Sequence, residues 1–216
     1  MNAPSTTHLP IDYTNGASLA ADDPRAAMAR SVRAARTVIA HVDETNAASP
    51  TPCPDWSALD VARHIVAVLD RAAAGPTQAD LPSMPILADV GLDDLDAAAL
   101  ASAQQLHANW TDDRVLDTVI TVPWGDFPGA MVIGAYASET IVHTWDLAVS
   151  LGLTLDWPER DLAGHLAMVQ QGIPESPRDA AMPFGAVVRP PADAPAIEHL
   201  VGWLGRDVEG WRVAGD

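Results

Sequence analysis

Glu139-Thr140-Ile141-Val142-His143-Thr144-Trp145-Asp146 is the stretch whose reading decides the fold of this chain. It lies inside the longest apolar, helix-permitting run, roughly Pro128 to Leu151. Glu139 and His143 are four residues apart, so on a helix they stack on one face, and Asp146 follows three residues on. Met131, Val132, Ala135, Val142, Leu147 and Val149 make this helix apolar nearly all round. Such a helix is normally buried. A buried, ionised Glu costs several kcal/mol unless it is paired or coordinates a metal. The chain contains no Lys, and residues 115–159 contain no Arg, so no cation is available locally.

Composition limits the partners. The 216 residues carry a formal net charge of -17, and all twelve basic residues are Arg. A surface this negative repels phosphate backbones and anionic lipid. Nucleic acid and membrane are therefore excluded as partners, and a small-molecule substrate is expected, with the chain a monomer or homodimer. The length suits one domain, or one domain with an appendage, and the apolar share of 48% is that of a globular chain. Residues 1–22 lack the apolar core and basic start of a signal peptide and read as a flexible N-terminal extension. Glu139, His143 and Asp146 interrupt the best candidate for a membrane span, which needs about 18 apolar residues. Cys53 is the sole cysteine, so no intrachain disulfide forms, and a reducing cytoplasm is the default compartment.

Further helices surround the central one. Asp23-Pro24 starts a helix predicted over 24–44, with Met28, Val32, Ala35, Ile39 and Val42 on its apolar face. Ser57 to Asp60 reads as a capping box, with Trp56 placed to staple onto Val61. The second helix then runs to Ala74 and stops at Gly75-Pro76. Its apolar positions are Val61, Ile65, Val68 and Leu69, and His64 sits beside them, facing inward. A loop over 75–91 leads to a third helix over 92–110, with Leu95, Ala99, Ser102, Leu106 and Trp110 on one face. Val115 to Val122 alternates like a short strand. Asp126-Phe127-Pro128 is expected to open the central helix, and Gly152 to close it. Residues 158–172 and 196–204 read as helices, and the proline-rich 173–195 as a surface wrap. The pattern predicts a mainly all-α fold, a helix bundle of the kind that builds metal sites from inward side chains on facing helices.

His64, Glu139 and His143 are the candidate metal ligands. Two imidazole nitrogens and a carboxylate oxygen suit zinc, with a fourth position open. Iron, nickel and manganese accept the same donors. Against this stands a plain alternative: Glu and His four apart form an ordinary helix pair worth a few tenths of a kcal/mol, and a His on an apolar face is more often a satisfied core residue than a ligand. Asp146 reads as an acceptor holding a His tautomer, with a fourth ligand or a surface residue as alternatives. Cys53 has no base visible in sequence and reads as structural. His41, His107, His165 and His199 read as surface or rim, and His8 lies in the extension. Trp124 and Trp145 are candidates to line a pocket.

Thr51-Pro52-Cys53-Pro54-Asp55-Trp56, followed by Val61-Ala62-Arg63-His64, resembles the second-helix motif of the DinB/YfiT-like metalloenzymes. Within them the resemblance is greatest to the mycothiol-dependent maleylpyruvate isomerase N-terminal type. Glu139 to Ala148 resembles that family's second metal motif. The similarity covers roughly residues 24–152, and more loosely Gly205-Arg206-Asp207. It implies a four-helix bundle over 23–155, with a short extended segment and a short C-terminal extension, 156–216, packed on it. It also implies a divalent metal held by His64, Glu139 and His143, working with mycothiol or another low-molecular-weight thiol. The isomerase carries a sizeable C-terminal α/β domain, for which residues 153–216 are too short. Isomerase activity and any substrate-binding arginine are therefore not carried over, and no catalytic residue is assigned. Three functions compete. The first is thiol-dependent transferase or isomerase chemistry on a small electrophile. The second is hydrolysis by metal-activated water, with Asp146 or Glu44 as the base. The third is a non-catalytic binding bundle, which a closed four-ligand site would favour.

Overall fold

The computed structural model describes residues 23–157, 159–178 and 184–211. The extension read over residues 1–22, His8 within it and the last five residues lie outside the described residues. The fold is mainly helical, with one two-stranded antiparallel hairpin.

Helix α1 spans Pro24–Ile39. The Asp23 carboxylate accepts from the Arg25 amide at 2.9 Å, and Pro24 needs no amide partner there. The helix ends five residues before the expected Glu44. Asp43 ends it by offering the backbone another partner: its carboxylate accepts from the Thr45 amide at 2.8 Å and hydroxyl at 2.6 Å. Such local side-chain bonds compete with helical ones.

Helix α2 spans Ala58–Ala74 and begins with the expected Ser57–Asp60 capping box. Trp56 does not serve as a staple alone; its ring stands 4.5 Å from the His64 ring. The following loop contains short 3-10 turns at Gly75–Thr77, Leu81–Ser83 and Leu92–Asp94. It is strapped to α2 by Arg63 Nε on the Val90 carbonyl, His64 Nδ1 on Ile86 and Arg71 Nη2 on Pro85. Helix α3, Leu95–Asn109, buries Leu95, Ala99, Ser102 and Leu106, as the period requires. Trp110 behind it is buried and donates its indole N–H to the Ala72 carbonyl at 2.7 Å.

Strands β1, Val119–Val122, and β2, Gly125–Pro128, form a hairpin whose register runs from Val119–Pro128 to Val122–Gly125. Asp126 and Phe127 therefore belong to a strand and do not open the central helix. A Pro123-Trp124 turn carries no usual hairpin signature. Gly125 takes the unusual backbone instead, at φ 135°.

Helix α4 spans Gly129–Ser150. A Cβ on Gly129 would stand 2.1 Å from the Val115 carbonyl oxygen, so only glycine admits this approach. Gly152, at φ 68°, closes the helix end as expected. One side of α4 packs on α1 and α2, and α2 packs in turn on α3. The opposite side presents Ile141, Val142 and Trp145 to a second apolar cluster. That cluster holds Leu162 and Val169 of α5, Glu159–Gly172, and Ile197, Leu200 and Val201 of α6, Ala196–Trp203. Lying between two cores is why α4 is apolar nearly all round.

Between α5 and α6 the described residues form no helix or strand. After α6, Gly205 at φ 89° crosses against Gly185, where a Cβ would lie 2.7 Å from the Gly185 Cα. His165 is not at the rim. It is buried, with Nδ1 2.7 Å from the Ser138 hydroxyl. Trp145 is core, and Trp124 is half-exposed with its ring edge against Tyr136. No helix among the described residues is long and apolar enough to cross a membrane.

Candidate metal centre

Helices α2 and α4 bring His64, Glu139 and His143 together. One ligand atom from each lies within 4.8 Å of the others. His64 Nε2 and Glu139 Oε1 are 3.2 Å apart. The two imidazole rings meet edge to face, 4.4 Å between centroids, and the Trp56 indole packs against both. Tetrahedral bonds of 2.0–2.2 Å would set donors about 3.4 Å apart, close to the His64–Glu139 separation.

Hydrogen bonds assign the ring faces. His64 Nδ1 lies 2.9 Å from the Ile86 carbonyl, which can only accept. His143 Nδ1 lies 3.0 Å from Asp146 Oδ2. Each ring therefore donates from Nδ1, which leaves Nε2 as the lone-pair nitrogen, and His64 turns it to Glu139, the arrangement metal-binding histidines use. Acceptors then flank His64 on both sides, Ile86 at Nδ1 and Glu139 at Nε2, and only a second proton or a cation satisfies that position.

The charge states suit a cation. Burial alone would raise Glu139, but a second proton on His64, hydrogen-bonded to the carboxylate, and the charges of His143 and Arg71 outweigh it, and the carboxyl lies below its usual range; a metal would stand in for that proton. Burial is the main cause that holds His143 below its usual value, against the pull of Asp146. A neutral imidazole and an ionised carboxylate are what a metal needs. Glu139 is the most open of the three, with 28% of its side chain exposed.

Asp146 is fully buried and sits on the far side of His143. Arg206 grips it, Nε to Oδ1 at 3.2 Å and Nη2 to Oδ2 at 2.9 Å. Asp146 is thus an acceptor for the His143 tautomer and not a fourth donor to the trio. Cys53 joins this side, with Sγ 3.4 Å from Asp146 Oδ2, 3.4 Å from Arg206 Nη2 and 3.8 Å from His143 Nδ1. Burial, reinforced by the Asp146 charge, pushes its thiol up to about 12. Cys53, His143 and Asp146 form a second group whose ligand atoms lie within 4.8 Å of one another. The Arg206 guanidinium already neutralises that group. Sequence reading had assigned Arg206 no role here.

A cavity of about 320 Å³ opens elsewhere, between α1, α4 and α5, with Arg30, Ile141, Trp157 and His165 among its walls. None of the trio lines it.

A family model described as "Mycothiol maleylpyruvate isomerase N-terminal domain" matches residues 28–148, more than half of the chain. Two curated relatives come from Mycobacterium tuberculosis, one from strain CDC 1551 / Oshkosh and one from strain ATCC 25618 / H37Rv. Each is 28% identical over 189 residues, which is 86% of this chain and 99% of the relative, and each is described only as an uncharacterized protein. No solved structure matches.

Proposed function

The chain belongs to the mycothiol maleylpyruvate isomerase N-terminal domain family, and from that premise we propose that it is a divalent-metal enzyme. It uses a low-molecular-weight thiol of the mycothiol kind for transferase or isomerase chemistry on a small electrophile. The observation that supports this most is the shared orientation of the two imidazoles. Both commit Nδ1 to fixed acceptors, which leaves Nε2 as the lone-pair nitrogen, and His64 turns its Nε2 to Glu139. His64, Glu139 and His143 hold the ion. Zinc fits this donor set best, with nickel, iron or manganese as alternatives. When bound, such an ion acidifies a thiol or water that reaches it.

The chain's own residues do the rest. Trp56 walls one side of the rings, Asp146 holds the His143 tautomer, and the exposed edge of Glu139 marks the side open to thiol and substrate. The hydrolytic alternative is weaker, because one of its two candidate bases, Asp146, is already held by Arg206 and His143. We assign the DinB/YfiT-like four-helix bundle to residues 23–155 and a packed C-terminal extension to 156–216. The protein acts as a cytoplasmic monomer or homodimer.

Elemental analysis of the purified protein beside His64→Ala and His143→Ala tests the ion. Wild type should carry metal and both variants should lose it. Equal metal content in all three would reject the centre. Calorimetry with a panel of thiols including mycothiol tests the chemistry: binding to metal-loaded and not to metal-free protein is expected. No binding by any thiol would reject the thiol-dependent reading and leave the metal centre standing.

A further inference from the structure

We propose that Arg206 is a plug: its guanidinium occupies the Cys53–Asp146 side of His143 and so confines a divalent ion to the face shared with His64 and Glu139. This rests on the metal-centre reading and deepens it, making Arg206 a positioning residue for that site.

His143 stands between two competent donor sets. One joins it to His64 and Glu139, and the other, on its Nδ1 side, joins it to Cys53 and Asp146; within each group the ligand atoms lie within 4.8 Å of one another. A thiolate, an imidazole and a carboxylate form a donor set that attracts thiophilic divalent ions. An ion bound there would take His143 Nδ1, turn the ring, and dismantle the first site.

Arg206 prevents this in three ways. Its planar fork takes both Asp146 oxygens, and Oδ2 also meets His143 Nδ1 and the thiol, so neither oxygen is left free for an ion. The same Nη2 lies 3.4 Å from Cys53 Sγ, where an incoming ion would have to sit. Its positive charge also repels a second cation. The side chain is 11% exposed and Asp146 is not exposed at all, so water screens this repulsion little. Arg206 reaches this position because Gly205 turns at φ 89° against Gly185. Its Nη1 is tied to the Leu204 carbonyl at 3.3 Å.

Cobalt(II) titration of metal-free full-length protein tests this, because a sulfur ligand adds a near-ultraviolet charge-transfer band. Wild type should bind cobalt without that band. Arg206→Met should bind at the primary site about 10- to 100-fold more weakly and acquire the band. Adding Cys53→Ser to Arg206→Met should abolish the band. Arg206→Lys, which keeps the charge, should show no band. If wild type binds no cobalt, the metal-centre reading fails and this proposal with it. If wild type binds and Arg206→Met matches it in affinity and spectrum, the plug alone is refuted. Circular dichroism checks the fold. Should Arg206→Met unfold, Arg206→Gln is read in its place, and unfolding of both would make Arg206 a structural anchor and overturn the proposal.

Discussion

His143 Nδ1 lies 3.0 Å from Asp146 Oδ2, one turn further along the same helix, and the carboxylate is fully buried. Asp146 therefore serves two cation-side partners, the imidazole and the Arg206 guanidinium. Breaking a buried pair by removing one member strands the other charge, at about 3–5 kcal/mol. Asp146→Asn should lower unfolding free energy by that order in urea denaturation. An unchanged midpoint would show that the pair is solvated and carries little.

The same group sets an acid limit. Burial alone would raise Asp146, but Arg206 first and then His143 pull it down to about 2, from an ordinary 3.8. A depressed carboxyl contributes stability that is fully present above the unfolded value and lost as pH falls through the folded one. Between pH 3.8 and about 2 the protein should thus lose on the order of 2 kcal/mol from this residue. Acid titration of stability should show wild type and Asp146→Asn converging across that window. Parallel curves would refute the assignment.

Cys53 should be an inert thiol. With its value pushed up to about 12, it is protonated at neutral pH, and the thiolate is the reactive form. Alkylation of the native protein, followed by mass spectrometry, should be slow and should accelerate on unfolding. Cys53→Ser keeps a donor for Asp146 and should retain metal. Rapid, complete labelling of folded protein would contradict this.

The Tyr136 hydroxyl is buried and, among the described residues, has no hydrogen-bond partner. An unmet buried hydroxyl costs about 1–3 kcal/mol. Tyr136→Phe should therefore leave the melting temperature unchanged or raise it. A clear drop would mean that the hydroxyl bonds to a partner, such as water.

Much of this was legible from residue order, for local reasons. The capping box at Ser57 and the 3.6-residue period through His64 place one candidate ligand, and the same period joins Glu139 to His143. What escaped depends on distant partners. Strand β2 was hidden because Pro123-Trp124 does not resemble a hairpin turn. His165 was read as rim because its hydroxyl partner lies on another helix. Arg206 was missed although the argument for it was at hand. An inward Asp146 on an apolar helix needs a cation as much as Glu139 does, and residues 115–159 supply none. That demand pointed to an arginine far away in sequence.

The contact between Arg206 and Cys53 spans 153 residues, and that with Asp146 spans 60. Synthesis imposes an order on these contacts, since Arg206 is made after helices α1 to α6. The side of His143 shared with His64 and Glu139 is thus assembled first and the Cys53–Asp146 side is completed last. A nascent or truncated chain ending before Gly205 would hold all three candidate ligands with both faces of the imidazole open. The period just after synthesis is when this protein would be most exposed to taking up the wrong metal.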